Sequence, residues 1–130
     1  MAHVLFVCLQ NAGRSQMSRA LFEQAAQGRH TAASAGTQPA DQVHPEVVTA
    51  MKELGVNLSA LKPRLLTTEL AQEADVVVTM GCGDACPYIP GKKYVDWDLT
   101  DPKGLPVEQV RGIRDDISKR VQELVHQLDS

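Results

Sequence analysis

The sequence has no apolar run near the roughly 20 residues that a membrane-spanning helix needs, and its longest runs are only strand-sized. It also lacks a basic N-terminal segment followed by an apolar stretch and a small-residue cleavage site. Basic residues are not in excess, because 13 Lys and Arg stand against 16 Asp and Glu, for a net charge of -3. We therefore expect a cytoplasmic protein that contacts neither a membrane nor nucleic acid.

Cysteines and aromatic residues are also scarce. Three cysteines are an odd number for a disulfide framework, and without a secretion signal they suit reactive thiols better. The four histidines show no metal-ligand spacing, so we expect no metal and no other cofactor. Aromatic residues make up 4% of the chain, and we assign Tyr88, Tyr94 and Trp97 to packing rather than to a binding surface.

The 130 residues predict one domain over 1–130, without repeats or low-complexity segments. Apolar and β-branched runs predict strands at 4–7, 31–35, 75–80 and 94–97. Apolar residues at spacings of three and four predict helices at 16–27, 45–54, from Thr67 or Thr68 to 74, and 107 to about 128. Val47, Val48, Met51 and Leu54 would form the apolar face of the second helix. This alternation predicts a three-layer α/β domain with a central parallel sheet of about four strands and helices on both faces.

The segment 8–15, Cys-Leu-Gln-Asn-Ala-Gly-Arg-Ser, lies between the first strand and the first helix. A loop in this position directs backbone N–H groups and the positive end of a helix dipole toward an anion. Such surroundings favour the thiolate form of Cys8, and Ser15 is near enough to hydrogen-bond its sulfur. Arg14 offers a planar fork of donors for a tetrahedral oxyanion. The alternative is that Cys8 is only a buried strand end and Arg14 only a surface charge.

The second and third cysteines, Cys82 and Cys86, lie four residues apart in a loop after the strongest strand. On an unbroken helix their Cβ atoms would be about 5–6 Å apart, whereas a disulfide needs about 3.5–4.5 Å. A bond between them requires an unwound turn, which Gly81, Gly83 and Pro87 favour. Redox-active thiols, inert thiols and half of a zinc site all remain open.

Asp101 and Asn11 are the other polar candidates. Asp101 precedes Pro102 in the loop before the last helix, where it serves either as a turn residue or as a catalytic acid. Asn11 can hold the loop 8–15 in shape through bonds to neighbouring backbone groups. Since ligand sites in parallel sheets lie at the carboxyl ends of strands, Cys8, Cys82 and Asp101 could meet there.

The string Val7-Cys8-x-x-Asn11-x-x-Arg14-Ser15-Gln16-Met17, the late Asp101-Pro102 and the Cys82/Cys86 loop together resemble arsenate reductases built on the low-molecular-weight tyrosine phosphatase fold. The resemblance spans nearly the whole chain. The Ser-Gln-Met continuation and Lys103 after Asp101-Pro102 depart from the tyrosine phosphatases, which usually have Ser-Pro and an aromatic residue there. Some relatives bind potassium through an acid in the first helix, where this chain has Arg19, so we predict no such ion.

The resemblance implies reduction of arsenate to arsenite by a monomer. The catalytic residues would be Cys8, Arg14, Cys82, Cys86 and Asp101, and the oxyanion would bind to Cys8, Gln10, Asn11, Ala12, Gly13, Arg14 and Ser15. In a relay, the Cys82/Cys86 pair would take the oxidising equivalents from Cys8 and pass them to thioredoxin. Residues 11–14 and 82–87 look closest to an actinobacterial branch, in which some members use Cys8 alone with mycothiol and mycoredoxin. The physiological donor, with glutaredoxin as a third candidate, stays open.

Two other functions remain possible on the same residues. A phosphatase would use Cys8, Arg14 and Asp101 to hydrolyse a phosphate ester with water and would consume no reductant. A binding or redox-sensing module would hold an oxyanion without turnover.

Overall fold

The computed structural model describes residues 1–81 and 91–130. In order along the chain, the described elements are β1 (His3–Cys8), α1 (Arg14–Ala26), β2 (Thr31–Gly36), α2 (Pro45–Lys52), α3 (Thr68–Glu73), β3 (Val76–Thr79), β4 (Lys93–Asp96) and α4 (Val107–Asp129). All strand pairs are parallel, in the order β2-β1-β3-β4. The α/β class and the four-stranded parallel sheet that the sequence predicts are confirmed.

Strand β1 lies inside the sheet and pairs with β2 on one side and β3 on the other, so that Val7 is in register with both Ala35 and Thr79. The chain builds outward from β1 to β2 and then crosses to β3, which places the reversal of strand order between β1 and β3. Ligands in open parallel sheets bind at such a crevice, at the carboxyl ends of the strands. Cys8 ends β1 at this edge.

Alternate residues of β1 face two different hydrophobic clusters, as expected for a strand covered on both sides. Val4, Phe6 and Cys8 belong to the larger cluster, which includes buried residues of α1, α2 and α4. Leu5 and Val7 belong to a smaller cluster under α3. Phe6 also packs against Trp97 with ring centroids 5.8 Å apart, which agrees with a packing role for that residue. Cys8 is therefore anchored by the main core, and its position cannot shift without disturbing the sheet.

Two helix boundaries differ by two residues from the sequence-based prediction. Helix α1 begins at Arg14, two residues early, because the Met17 N–H already bonds to the Gly13 carbonyl at 3.0 Å. Helix α2 ends at Lys52, and Leu54 is 43% exposed, so the prediction that Leu54 completes its apolar face is wrong. Gly55 takes a positive φ of 80° and the Val56 N–H bonds back to the Met51 carbonyl, a helix-ending turn that directs Leu54 outward.

Ion pairs join the end of α2 to α4. Glu53 accepts from Arg111 at 2.7 Å and from Arg114 at 2.8 Å. These hydrogen bonds, the Arg111 bond first, lower the pKa of Glu53 from 4.5 to about 2. Arg114 also donates to the Ala50 carbonyl at 2.8 Å. This cluster ties together two helices that cover the face of the sheet on which Cys8 lies.

Helices long and apolar enough to cross a membrane are not found in the described ranges. Within the same ranges, no three or more His, Cys, Asp or Glu side chains are grouped in a way that could hold a metal ion.

Candidate active site

The loop between β1 and α1 turns its carbonyl groups away from its interior. The carbonyls of Cys8, Leu9, Gln10 and Ala12 accept hydrogen bonds of 2.8–3.2 Å from backbone N–H groups in the segment 37–44. A Cβ at Gly36 would lie 2.7 Å from the Leu9 carbonyl oxygen, so a glycine is needed where β2 ends and the loop crosses it. With its carbonyls committed outward, the loop is left to present amide N–H groups on its inner side.

The N-terminus of α1 adds further donors to this loop. Gly13 is the N-cap residue, no side chain of the described residues caps the helix, and its first turn contains no acidic residue. The first N–H groups of a helix have no partner within the helix, and the helix dipole makes this end positive. The loop 8–15 therefore offers donors and a positive field that would suit an oxyanion, and its assignment as the oxyanion site stays a prediction.

Asn11 holds the loop together from its centre. It is fully buried and has a positive φ of 53°, a conformation that asparagine tolerates better than most residues. Its side-chain oxygen accepts from the Arg64 N–H at 3.0 Å and from Gln16 Nε2 at 3.2 Å. Its Nδ2 donates to Ser15 Oγ at 2.6 Å. These partners fix the orientation of the carboxamide and join the loop to the chain around Arg64.

The sulfur of Cys8 receives hydrogen bonds from this network. Ser15 Oγ lies 2.9 Å from Cys8 Sγ, and the Asn11 N–H donates to the same sulfur at 3.2 Å. Ser15 Oγ accepts from Asn11 Nδ2, and its own hydrogen is free to be donated to a Cys8 thiolate. A thiolate, the nucleophilic form of cysteine, could accept from both groups. The contact between Ser15 and Cys8 that the sequence predicts is present.

Arg14 opens α1, and its guanidinium is almost buried, with 7% of the residue exposed. Its Nη1 donates to the Leu99 carbonyl at 3.4 Å, and its Nη2 lies 3.5 Å from a carboxylate oxygen of Asp101. Both distances are long for bonds of this type. The guanidinium thus retains donors for an oxyanion bound over the loop.

Asp101 is at the same edge of the sheet, and one of its two carboxylate oxygens makes the contact expected of a turn residue. One oxygen accepts from the Lys103 N–H at 3.0 Å, and the other faces Arg14. Its side chain is 45% exposed. The turn that Asp101 closes therefore also directs its carboxylate toward Arg14, and its role as a catalytic acid stays a prediction.

Pro102 places the Asp101 loop directly on the loop 8–15. Pro102 is buried, and a Cβ at Gly13 would lie 2.5 Å from its ring. The same Cβ would approach the ring of His44 to 3.6 Å. Gly13 thus provides the surface on which the loop that carries Asp101 rests.

The predicted site residues are brought together as far as the structure describes them. Cys8, Asn11, Ala12, Gly13, Arg14 and Ser15 are buried in one loop, and Gln10 is half-buried beside them. Cys82 and Cys86 lie outside the described residues. The backbone contacts of Arg64 and Leu99 were not predicted, because no local pattern gives a signal for them. The packing of Gly36 and Pro102 against the loop was not predicted either.

Arg19, on the next turn of α1, lines a cavity of about 310 Å³ together with Asn11. Lys62 and Arg64 line the same cavity, and Arg19 is paired with Glu23 at 2.7 Å. Cationic side chains repel a bound cation, and the absence of a potassium ion from this chain stays a prediction.

Comparisons with known proteins agree with this geometry. The profile of the family described as low molecular weight phosphotyrosine protein phosphatase matches residues 3–130. A "Putative arsenate reductase" of Halobacterium salinarum is 47% identical over 124 residues, covering 92% of this chain and 87% of the relative. The glutaredoxin arsenate reductase of Synechocystis is 31% identical over 128 residues, covering 96% of this chain and 97% of the relative.

A solved structure extends the likeness to three dimensions. The thioredoxin-dependent arsenate reductase of Corynebacterium glutamicum superposes with a TM-score of 0.86 and 40% sequence identity. That alignment covers 100% of this chain and 64% of the other, so this chain spans less than two thirds of that protein's length. The family match over almost all residues shows that the chain belongs to the low molecular weight phosphotyrosine protein phosphatase family, and the relatives named above, to which it is similar, are arsenate reductases of this fold.

Proposed function

We propose that this protein reduces arsenate to arsenite, acting as a single phosphatase-like domain over residues 1–130. The observation that carries the proposal is the sulfur of Cys8, which lies 2.9 Å from Ser15 Oγ and accepts from the Asn11 N–H at the N-terminus of α1. A thiolate held in an anion-binding loop can attack the central atom of the oxyanion that the loop binds. The relatives that are arsenate reductases favour arsenic over phosphorus as that central atom.

Arsenate, a phosphate mimic, would place its oxygens against the inner N–H groups of the loop 8–15. Arg14 would clamp it through the donors that its long contacts with Leu99 and Asp101 leave available. A dianion bound there competes with Asp101 for the guanidinium. Binding would therefore loosen the contact between Arg14 and Asp101 while keeping Asp101 near the oxygen that leaves.

In the first chemical step, Cys8 Sγ attacks arsenic and an As–OH bond breaks. The departing oxygen takes a proton from Asp101 and leaves as water, with Asp101 acting as general acid. The product is a thiolate–arsenic(V) adduct on Cys8. In this step no electrons are transferred, so a second thiol is required for reduction.

In the relay that we propose, Cys82 supplies this second thiol. Its thiolate attacks Cys8 Sγ, the electron pair of the S–As bond stays on arsenic, and arsenic(III) leaves as arsenite. Cys86 then attacks Cys82, which frees Cys8, and a thioredoxin-type dithiol reduces the Cys82–Cys86 disulfide. The order of the three cysteines in the sequence and the thioredoxin-dependent relative support this version.

The alternative donor is mycothiol, which would take the arsenic from Cys8 and be restored by mycoredoxin. In that version Cys82 and Cys86 take no part. A glutaredoxin-coupled version is suggested by the Synechocystis relative. The same Cys8 loop serves all three, so they differ only after the first adduct has formed.

Arsenite release by the purified protein, with and without a thiol reductant, tests the proposal. A reductase releases arsenite in multiple turnovers only when reductant is present. A phosphatase instead hydrolyses p-nitrophenyl phosphate at a rate that does not depend on reductant, and a binding module does neither. Phosphate-ester turnover without any arsenite release would refute the proposal and leave the family's phosphatase activity.

The relay is tested separately with Cys82→Ser and Cys86→Ser. Under the relay, Cys82→Ser stops before arsenite leaves, and Cys86→Ser accumulates a Cys8–Cys82 disulfide that peptide mass spectrometry detects. If both variants turn over normally with mycothiol and mycoredoxin, Cys8 works without the relay. The comparison of thioredoxin, glutaredoxin and mycothiol as donors for the wild-type protein then identifies the reductant.

A further inference from the structure

Gly81, the second residue after β3, contacts the end of the Arg14 side chain. A Cβ built on Gly81 would overlap Nη1 of Arg14 and would lie 3.1 Å from its Cζ and 3.2 Å from its Nη2. Gly81 also has a φ of 90°, in the region that favours glycine. The Cα hydrogen that stands where other residues carry a side chain therefore faces the guanidinium directly.

Hydrogen bonds alone hold the guanidinium weakly. Among the described residues, its polar contacts are to the Leu99 carbonyl at 3.4 Å and to Asp101 at 3.5 Å, both near the limit for such bonds. The side chain is nevertheless only 9% exposed. Close packing, to which Gly81 contributes, therefore helps to set the position of the two terminal nitrogens.

The backbone of Gly81 is attached to a fixed point. Met80, the preceding residue, is fully buried, and its N–H bonds to the Val7 carbonyl at 2.8 Å. Ser18 of α1 contacts the Met80 sulfur at 3.6 Å. If a side chain were added at Gly81, the guanidinium at the end of its flexible chain would move more readily than this backbone.

We propose that Gly81 is a positioning residue for Arg14, and that the absence of its side chain fixes the guanidinium in the orientation that clamps the oxyanion. This inference rests on the assignment of Arg14 as the oxyanion clamp under the proposed function. It gives Gly81 a role in binding that is separate from any backbone freedom it lends to the cysteine that follows. A larger residue at position 81 would impair the site while leaving the fold in place.

Gly81→Ala and Gly91→Ala form a matched pair for the test. Gly91 has almost the same φ, 89°, but a Cβ there meets no described atom within 4 Å. Both variants carry the same backbone strain, so we expect similar losses of thermal stability. Because a misplacement of about 1 Å costs on the order of 10²-fold in such sites, only Gly81→Ala should lower kcat/KM for arsenate by about tenfold or more.

Binding of inorganic phosphate, measured by titration calorimetry, is the readout that does not depend on arsenate reduction. We expect Gly81→Ala to weaken phosphate binding about tenfold and Gly91→Ala to leave it unchanged. In an Arg14→Lys background, which has no guanidinium to displace, Gly81→Ala should add less than about twofold. A wild-type protein that binds phosphate in this pattern but reduces no arsenate would refute the proposed function and retain the inference.

Three results would overturn the proposal that Gly81 positions Arg14. One is wild-type phosphate affinity in Gly81→Ala, and another is a full, additive loss when the substitution is made together with Arg14→Lys. The third is a Gly81→Ala variant that does not fold while Gly91→Ala does, because the contact would then support the fold rather than the position of Arg14.

Discussion

Replacing Ser15 by alanine isolates the contribution of one hydroxyl to the reactivity of Cys8. This hydroxyl lies 2.9 Å from the sulfur and accepts from Asn11 Nδ2 at 2.6 Å. The variant removes one of the two donors to the sulfur and leaves the Asn11 N–H bond in place. It also leaves Asn11 Nδ2, in a fully buried residue, without its acceptor.

The size of the effect follows from the charge on the sulfur. A hydrogen bond to a charged group is worth about 1.5–3 kcal/mol. Since about 1.4 kcal/mol corresponds to tenfold in rate, Cys8 should react roughly 10–150 times more slowly in Ser15→Ala. The unpaired Asn11 amide adds a loss of about 1–3 kcal/mol in the free energy of unfolding.

Ser18→Ala is the matched control for this variant. Ser18 is also a fully buried serine of α1, but its hydroxyl bonds to the Arg14 carbonyl at 2.7 Å and contacts the Met80 sulfur at 3.6 Å rather than Cys8. We expect its removal to change the stability only slightly, because such bonds within a helix contribute little. The reactivity of Cys8 should stay within about twofold of the wild type.

The assay is alkylation of Cys8 by iodoacetamide at neutral pH, followed by mass spectrometry in a Cys82→Ser/Cys86→Ser background so that one thiol reacts. Arsenate turnover is measured in parallel with the three-cysteine forms. If Ser15→Ala reacts as fast as Ser18→Ala, the hydroxyl does not stabilise the thiolate. The argument from the hydrogen-bond network of Asn11 would then be wrong.

Three further predictions concern the surroundings of the site. Gly13→Ala should displace Pro102 by steric overlap and lower kcat/KM for arsenate, measured by steady-state kinetics, while the protein stays folded with a melting transition in calorimetry. Asp101→Asn should lower kcat by roughly 10²–10⁴ while phosphate affinity, measured by titration, does not fall. The pKa of Glu53 lies at about 2 in the fold, below its ordinary 4.5, so its contribution to stability is present above that ordinary value and is lost as the pH falls toward 2. Glu53→Gln should therefore melt below the wild type at neutral pH, and the difference should close as thermal denaturation is repeated toward pH 2.

The local sequence was sufficient to predict the strand, loop and helix that carry the candidate site. The apolar run before Cys8, the glycine and arginine after it and the amphipathic helix that follows are all short-range signals. The contact of Ser15 with Cys8 could be predicted for the same reason, because both residues belong to one turn. The misjudged end of α2 was also local, since Gly55 ends the helix before Leu54 can join its apolar face.

The long-range partners could not be predicted in this way. Strand order depends on how crossovers pack, so no spacing in the chain indicates that β1 lies between β2 and β3. The Arg64 N–H that fixes Asn11 is 53 positions away, and the Leu99 carbonyl that meets Arg14 is 85 positions away. The sequence indicated only that Gly81 gives backbone freedom, because its proximity to the Arg14 guanidinium arises from folding.

The most direct test of the central claim is arsenite release from arsenate by Cys8→Ser beside the wild type, with a saturating thiol reductant. A serine hydroxyl in the same loop is not ionised there, so it can keep the oxyanion site while losing the nucleophile. We predict multiple turnovers for the wild type and no arsenite above background for Cys8→Ser, with phosphate binding by titration retained in the variant. Arsenite release by Cys8→Ser at a rate close to the wild type would contradict the claim that the sulfur of Cys8 attacks arsenic.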